Sequence, residues 1–259
     1  MIFVMALVHF HSSLLCCCVV LVLNFLTYIY SGTTFEHSAL FADHAGPTGG
    51  HYAIWQMMNN AEKRGVSDFV TAATVRHPCD RFISAFRYLT SDKCNEGDRI
   101  NSEQQIGNRT IDEYVHHLEE TGFDGTQKHF KPQYEYVVSK DGQSVDVNNI
   151  LCREDWDEGT DRLAAAIGHN NGFPKLHTSH LLTNAHEACS DLEAETVAAI
   201  ERLYWMDYCL FGYPLTADHQ RNLLSNADFG NESWECPSKH LDKESLTGKF
   251  TMCKINHMG

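Results

Sequence analysis

The sequence predicts an α/β domain in which a parallel sheet is flanked by helices. Two observations carry this. Phe69, Val70, Ala72, Ala73 and Val75 form an apolar run of strand length that leads straight into a proline-started helical pattern. A second short apolar run, Val145–Leu151, is followed by a helical pattern over Asp157–Ile167 that Gly168 closes. Strands that alternate with helices imply parallel pairing. With 259 residues, 43% of them hydrophobic and 11% aromatic, the chain can bury one sizeable core and carry a membrane or targeting segment besides.

The elements follow in order. Met1–Tyr30 contains no Asp, Glu, Lys or Arg, and the first Lys or Arg is Lys63. Roughly 20 apolar residues span a bilayer, so Ile2–Leu23 is a candidate anchor or uncleaved signal. Asn24–Tyr30 is a candidate first strand fused to it. Ser31-Gly32-Thr33-Thr34 is a turn signal that opens a helix through Leu40 and Phe41, and Gly46–Gly50 is a loop. His51–Arg64 reads as a helix with Ile54, Met57, Met58 and Ala61 on one face and Gly65 as its stop. Cys94–Arg109 is polar and reads as a loop. Thr110-Ile-Asp-Glu113 is a capping box opening a helix to about Glu120. Ser190-Asp-Leu-Glu193 is a second such box, before a helix that buries Val197, Ile200 and Tyr204. Periodicity fades after Pro214. The expected organisation is therefore an apolar segment over 1–30, a single domain over 31–214, and an irregular tail over 215–259.

Chemistry concentrates in Thr74-Val-Arg-His-Pro-Cys-Asp-Arg-Phe-Ile-Ser-Ala-Phe-Arg-Tyr88. Pro78 suits the first turn of a helix, where its missing N–H costs nothing. Phe82, Phe86 and Leu89 recur at helical spacing and face the core, with Arg81, Ser84 and Tyr88 on another face. Arg76 at the strand end and Ser84 on the helix then converge on one anion, aided by the N–H groups of the helix N-terminus. Ser31–Thr34, a glycine turn between a strand and a helix, is a second candidate phosphate cradle.

The Arg76 segment resembles the part of PAPS-dependent sulfotransferases that grips the 3′-phosphate of the nucleotide, and among them the Golgi carbohydrate sulfotransferases. That pattern is Arg-x-Pro, then Arg, then Ser, and Arg76, Pro78, Arg81 and Ser84 match it. Gly32, Thr33, Thr34 and Phe35 match the second half of the family's 5′-phosphosulfate loop. The first half departs, because Tyr28 and Ile29 fall where the family has proline and lysine. Either the chain is a misjoined or truncated form of a longer protein, or it is a homologue with reduced or no catalysis. The resemblance implies an α/β fold with a P-loop-like parallel sheet, PAPS as donor and PAP as product. It places Arg76 and Ser84 on the 3′-phosphate and Ser31, Gly32, Thr33 and Thr34 on the 5′-phosphosulfate. It makes His51 the base for the acceptor hydroxyl, with His44 and Glu36 as alternatives. His129, Lys131 and Gln133, in His129-Phe-Lys-Pro-Gln133, fall near the acceptor sugar. Arg153-Glu154 matches a further family position or forms an internal ion pair, and Tyr204, Asp207, Phe211 and Tyr213 match its structural end.

The formal net charge of −14 and the pI near 5.5 exclude a general nucleic-acid binder, which needs a basic face. The basic pocket is then local, where Arg76, Arg81, Arg87 and Lys93 cluster, and a neutral or weakly acidic glycan suits such a protein better than a heavily sulfated one. Cys16, Cys17 and Cys18 are candidates for lipidation or burial. The other seven cysteines show no CxxC pair, which argues against zinc ribbons and thioredoxin chemistry; Cys236 with Cys253 is a candidate staple of the tail. His177, His180, His186 and Cys189 fit metal spacing only loosely, and no metal is expected. The sequons Asn108-Arg-Thr110 and Asn231-Glu-Ser233 point to the secretory route. The expected location is the Golgi membrane, with the domain in the lumen on a single span. Two rival readings remain: a PAP-binding but silent homologue, and a membrane-anchored binding module with no nucleotide.

Overall fold

The computed structural model describes residues 3–4, 53–63, 69–92, 94, 96–124, 128–166, 189–216 and 242–258. Among the described residues, the strands form two separate two-stranded parallel sheets. β1 (Phe3–Val4) pairs with β2 (Phe69–Val70), and β3 (Ala72–Val75) pairs with β4 (Asn149–Cys152). In chain order α1 (Ile54–Lys63) follows β1 and precedes β2, and it falls within the helix expected over His51–Arg64. Of the expected parallel sheet flanked by helices, the described residues show parallel pairing within a helix-rich α/β domain. Phe3–Val4, inside the expected anchor, is a strand; the strand expected at 24–30 falls outside the described residues. Among the described residues no helix is long and apolar enough to cross a membrane.

Alanine and valine make β3 nearly wholly buried, as a parallel strand covered on both faces should be. Its register is set at the start. The Thr71 N–H donates to Asn148 Oδ1 at 3.0 Å, and the Asn148 N–H returns a bond to Thr71 Oγ1 at 2.9 Å. From there Ala72 faces Asn149 and Val75 faces Cys152.

α2 (Pro78–Thr90) follows β3 with Pro78 in its first turn. Phe82 and Leu89 are buried as their spacing predicts, and Phe86 is half-buried. Arg81 and Tyr88, expected on a face other than the core face, are buried too. The helix is enclosed on more than one side, and each of these polar ends finds a partner in the interior. Phe82 packs on Phe130 with centroids 5.1 Å apart, Phe130 on Tyr114 at 4.9 Å, and Phe82 on Tyr204 at 6.1 Å, which ties α2 to the core.

α3 (Glu96–Gln105) replaces the loop expected over Cys94–Arg109. It has no apolar stripe, and Ser102 is its one buried residue. Hydrogen bonds hold it instead: the Ser102 hydroxyl donates to the Leu89 carbonyl at 2.9 Å, and the Tyr88 hydroxyl to Asp98 at 3.3 Å. α4 (Ile111–Thr121) begins with the predicted capping box, in which Thr110 and Glu113 exchange side-chain to backbone bonds of 3.2 and 2.8 Å. Thr110→Ala is expected to cost about 1 kcal/mol, a fall in Tm of roughly 2–4 °C. A thermal melt of unglycosylated protein checks this, since the same threonine completes a sequon.

α5 (Tyr134–Val137) precedes β4, and α6 (Trp156–Ala166) follows it through a single 3-10 turn, Arg153–Asp155. α7 (Ala194–Leu203) buries Val197, Ile200 and then Tyr204 as predicted, but the second capping box is absent. Cys189–Asp191 is a 3-10 turn instead, and Glu193 caps α7 without a side-chain bond. Cys189 is bonded to Cys79, and its N–H donates to Asp80 at 3.3 Å, so the segment is fixed from α2 rather than from α7.

α8 (Trp205–Phe211) is buried at every position. It packs against α9 (Lys243–Met258), in the stretch expected to be an irregular tail. Leu246, Phe250 and Cys253 of α9 are buried, whereas Met252 and Ile255 are exposed. Apolar residues on both faces hide the helical period from the sequence. Cys253 pairs with Cys209, not with Cys236. Cys152 is also disulfide-bonded, and Cys94 is a buried free thiol.

Candidate functional site

The site is built at the carboxyl ends of β3 and β4, where parallel sheets open a crevice for ligands. Val75 and Cys152 are register partners, so Arg76 and Arg153 leave the sheet side by side. Arg76 is half-buried, and the first turn of α2 begins two residues later. That turn presents backbone N–H groups with no helical partner of their own. Ser84 lies seven residues beyond His77, close to two full turns, so it shares a side of α2 with His77 about 10 Å along the axis.

Two residues distant in sequence, Gln133 and Glu154, hydrogen-bond to the backbone of the turn between β3 and α2. The Arg76 N–H donates to Gln133 Oε1 at 2.9 Å, and Gln133 Nε2 donates to the Arg76 carbonyl at 2.8 Å. The His77 N–H donates to Glu154 Oε1 at 2.7 Å, and Tyr213 donates its hydroxyl to the other Glu154 oxygen at 3.0 Å. The His77 ring meets Tyr208 and Tyr213 edge-on at 5.4 and 5.3 Å. Burial lowers the His77 pKa, and the charges of Asp80, Glu154 and Glu201 only partly offset that.

Behind Gln133 stands Asp207, which is fully buried. It accepts the Gln133 N–H at 2.7 Å and the Tyr134 N–H at 2.8 Å, and so caps α5 from α8. Burial pushes its pKa up to about 6, although the Arg81 charge and the two N–H bonds pull the other way. Arg81 itself donates from Nη2 to the Lys131 carbonyl at 2.7 Å. A carboxyl with a raised folded pKa adds stability below its unfolded pKa and loses it as pH rises through about 6. Relative to Asp207→Asn, the wild type is therefore expected to lose up to about 3 kcal/mol between roughly pH 4 and pH 7. Denaturant melts of both proteins across that range check it, and a difference that does not vary with pH would refute it.

The residues expected near the acceptor divide. Lys131 reaches the surface, with Nζ 3.9 Å from Glu135. His129 is 2% exposed, with Nε2 3.2 Å from Asp98 Oδ2, and Gln133 is 1% exposed. The structure gives both an internal use. His51 and Ser31–Thr34 lie outside the described residues. Among the described residues no cluster of His, Cys, Asp and Glu is arranged to hold a metal.

The bond from the His77 N–H to Glu154 is not visible in the sequence, where Arg153-Glu154 is expected to match a family position or form an internal ion pair. Asp207, which the resemblance makes structural, likewise finds its partners Gln133 and Tyr134 only in the fold. No local signal marks either interaction, because the partners are 77 and 74 residues away.

A strand-end arginine, a proline-started helix and a clamped turn between them mark an α/β protein with a candidate site at the end of its parallel strands. The sequence profile described as the sulfotransferase family matches residues 22–214. The chain belongs to that family, and its chemistry is sulfuryl transfer. The Golgi carbohydrate type is consistent with this. No curated protein and no solved structure gives a match.

Proposed function

We propose that this protein transfers a sulfuryl group from PAPS to a hydroxyl of a glycan. The observation that carries the reading is the clamped Arg76-His77-Pro78 turn, which holds a half-buried cation beside a helix N-terminus inside the family's matched span. Arg76 and Ser84 bind the 3′-phosphate of the donor. Ser31, Gly32, Thr33 and Thr34 hold the 5′-phosphosulfate. The acceptor oxygen forms its bond to sulfur as the bond from sulfur to the phosphate oxygen breaks, PAP leaves, and His51 takes the acceptor proton. Preorganised charge and N–H dipoles supply most of the stabilisation.

The strongly acidic chain disfavours a polyanionic acceptor, so the glycan is neutral or weakly acidic. The disulfides Cys79–Cys189 and Cys209–Cys253 suit an oxidising compartment, which supports a lumenal domain in the Golgi reached through the apolar N-terminal segment.

The test is incubation of the full chain with sulfur-labelled PAPS and a panel of neutral and desulfated glycans. Label on a glycan, with stoichiometric PAP, is the expected result. PAP binding without transfer to any glycan would replace the reading with a silent homologue, consistent with Tyr28 and Ile29 in the donor loop. A folded chain that binds no PAP would leave a binding module.

A further inference from the structure

Gln133 does more than fill the interior. The β3–β4 ladder ends at Val75 and Cys152, because β4 then turns into the 3-10 segment Arg153–Asp155. The backbone N–H and C=O of Arg76 lie one residue past that ladder. The Gln133 carboxamide gives them the two bonds that a neighbouring strand would have given. Gln133 is held in turn. Asp207 takes its N–H at 2.7 Å and lies 3.4 Å from its Nε2. Arg81, buried beside this group, bonds the Lys131 carbonyl two residues upstream. A line of contacts therefore runs from a core carboxylate on α8, through Gln133, to the backbone that aims Arg76.

We propose that Gln133 and Asp207 are positioning residues for Arg76, setting the direction of its guanidinium toward the donor anion, and that Gln133 does not contact the acceptor. This rests on the reading of Arg76 as the donor-phosphate ligand. Pro132 and the first turn of α5 keep Gln133 rigid, so its side chain can fix Arg76 with little loss of freedom of its own.

The experiment uses the full chain as wild type, Gln133→Ala, Arg76→Ala and the double variant. Each is titrated with PAP, melted thermally, and followed by amide hydrogen exchange at Arg76. Gln133→Ala is expected to weaken PAP binding about tenfold, since two hydrogen bonds at the backbone are lost. Exchange at the Arg76 amide should quicken by a similar factor. Placed on Arg76→Ala, the same substitution should change PAP affinity less than about twofold, because there is no guanidinium left to aim. An equal loss in both backgrounds would mean a merely structural role and overturn the proposal. Unchanged PAP affinity with a raised acceptor KM would overturn it in favour of a sugar contact. Arg76→Ala with wild-type PAP affinity would instead sink the donor-site reading, while Arg76 exchange would still report whether Gln133 holds the turn. If Gln133→Ala does not fold, Asp207→Asn takes its place. It preserves shape and should give a smaller PAP loss that again vanishes without Arg76; a loss that persists there overturns the proposal.

Discussion

Alanine at Arg76 is expected to weaken PAP binding by about 10- to 100-fold, because a charge-assisted hydrogen bond contributes roughly 1.5–3 kcal/mol. The protein should stay folded. Arg76 is half-buried, and its backbone is held by Gln133 whatever its side chain. Arg76→Lys should recover part of the affinity, since it restores the charge without the planar fork that matches a phosphate. Calorimetric titration with PAP, beside a thermal melt of each variant, measures both. A folded Arg76→Ala protein with wild-type affinity would remove the nucleotide from the β3–α2 turn.

The second large effect is on stability. Cys79–Cys189 joins residues 110 apart in the sequence, so opening it releases a long loop in the unfolded chain. Chain-entropy reasoning puts the loss for the paired variant Cys79→Ala/Cys189→Ala at about 5 kcal/mol, or roughly 10–20 °C in Tm. The bond also has a local consequence. Cys79 sits in the first turn of α2, three residues past Arg76, and its neighbour Asp80 accepts the Cys189 N–H. Removing the bond should loosen the helix N-terminus and weaken PAP binding in the same variant. Cys94→Ala is the control. Its thiol is buried and free, with its pKa pushed up to about 11 by burial, so it should cost far less. Equal losses in the two variants would show that cavity formation, not the crosslink, sets the effect.

Much of the site's first layer was legible. Alternating apolar runs and helical patterns place β3, α2, α4 and α6 within a few residues, because strand length, Pro78 and the Thr110–Glu113 box are local signals. Arg76 could be put at a strand end for the same reason. α3 and α9 were not legible. α3 is polar nearly throughout and is held by the bonds of Ser102 and Asp98 to other elements. α9 carries apolar residues on both faces and gains its order from α8 and the Cys209–Cys253 bond.

His129 and Gln133 show the same boundary inside the site. The motif His129-Phe-Lys-Pro-Gln133 is expected near the site, and the structure brings its Gln133 to the Arg76 backbone. Whether a polar side chain faces a ligand or the core, however, depends on what packs against it, and no spacing within the segment encodes that. Asp98 and Tyr88 close over His129, and Asp207 and the Arg76 backbone close over Gln133.

By itself, then, the sequence determined the strand, the proline-started helix and the arginine between them, since backbone propensity and apolar period act over a few residues. Only the tertiary structure decided how that arginine is held. Gln133, Glu154 and Asp207 reach their partners across 57, 77 and 74 residues, and long-range hydrogen bonds in a buried interior are selected by packing rather than by local pattern.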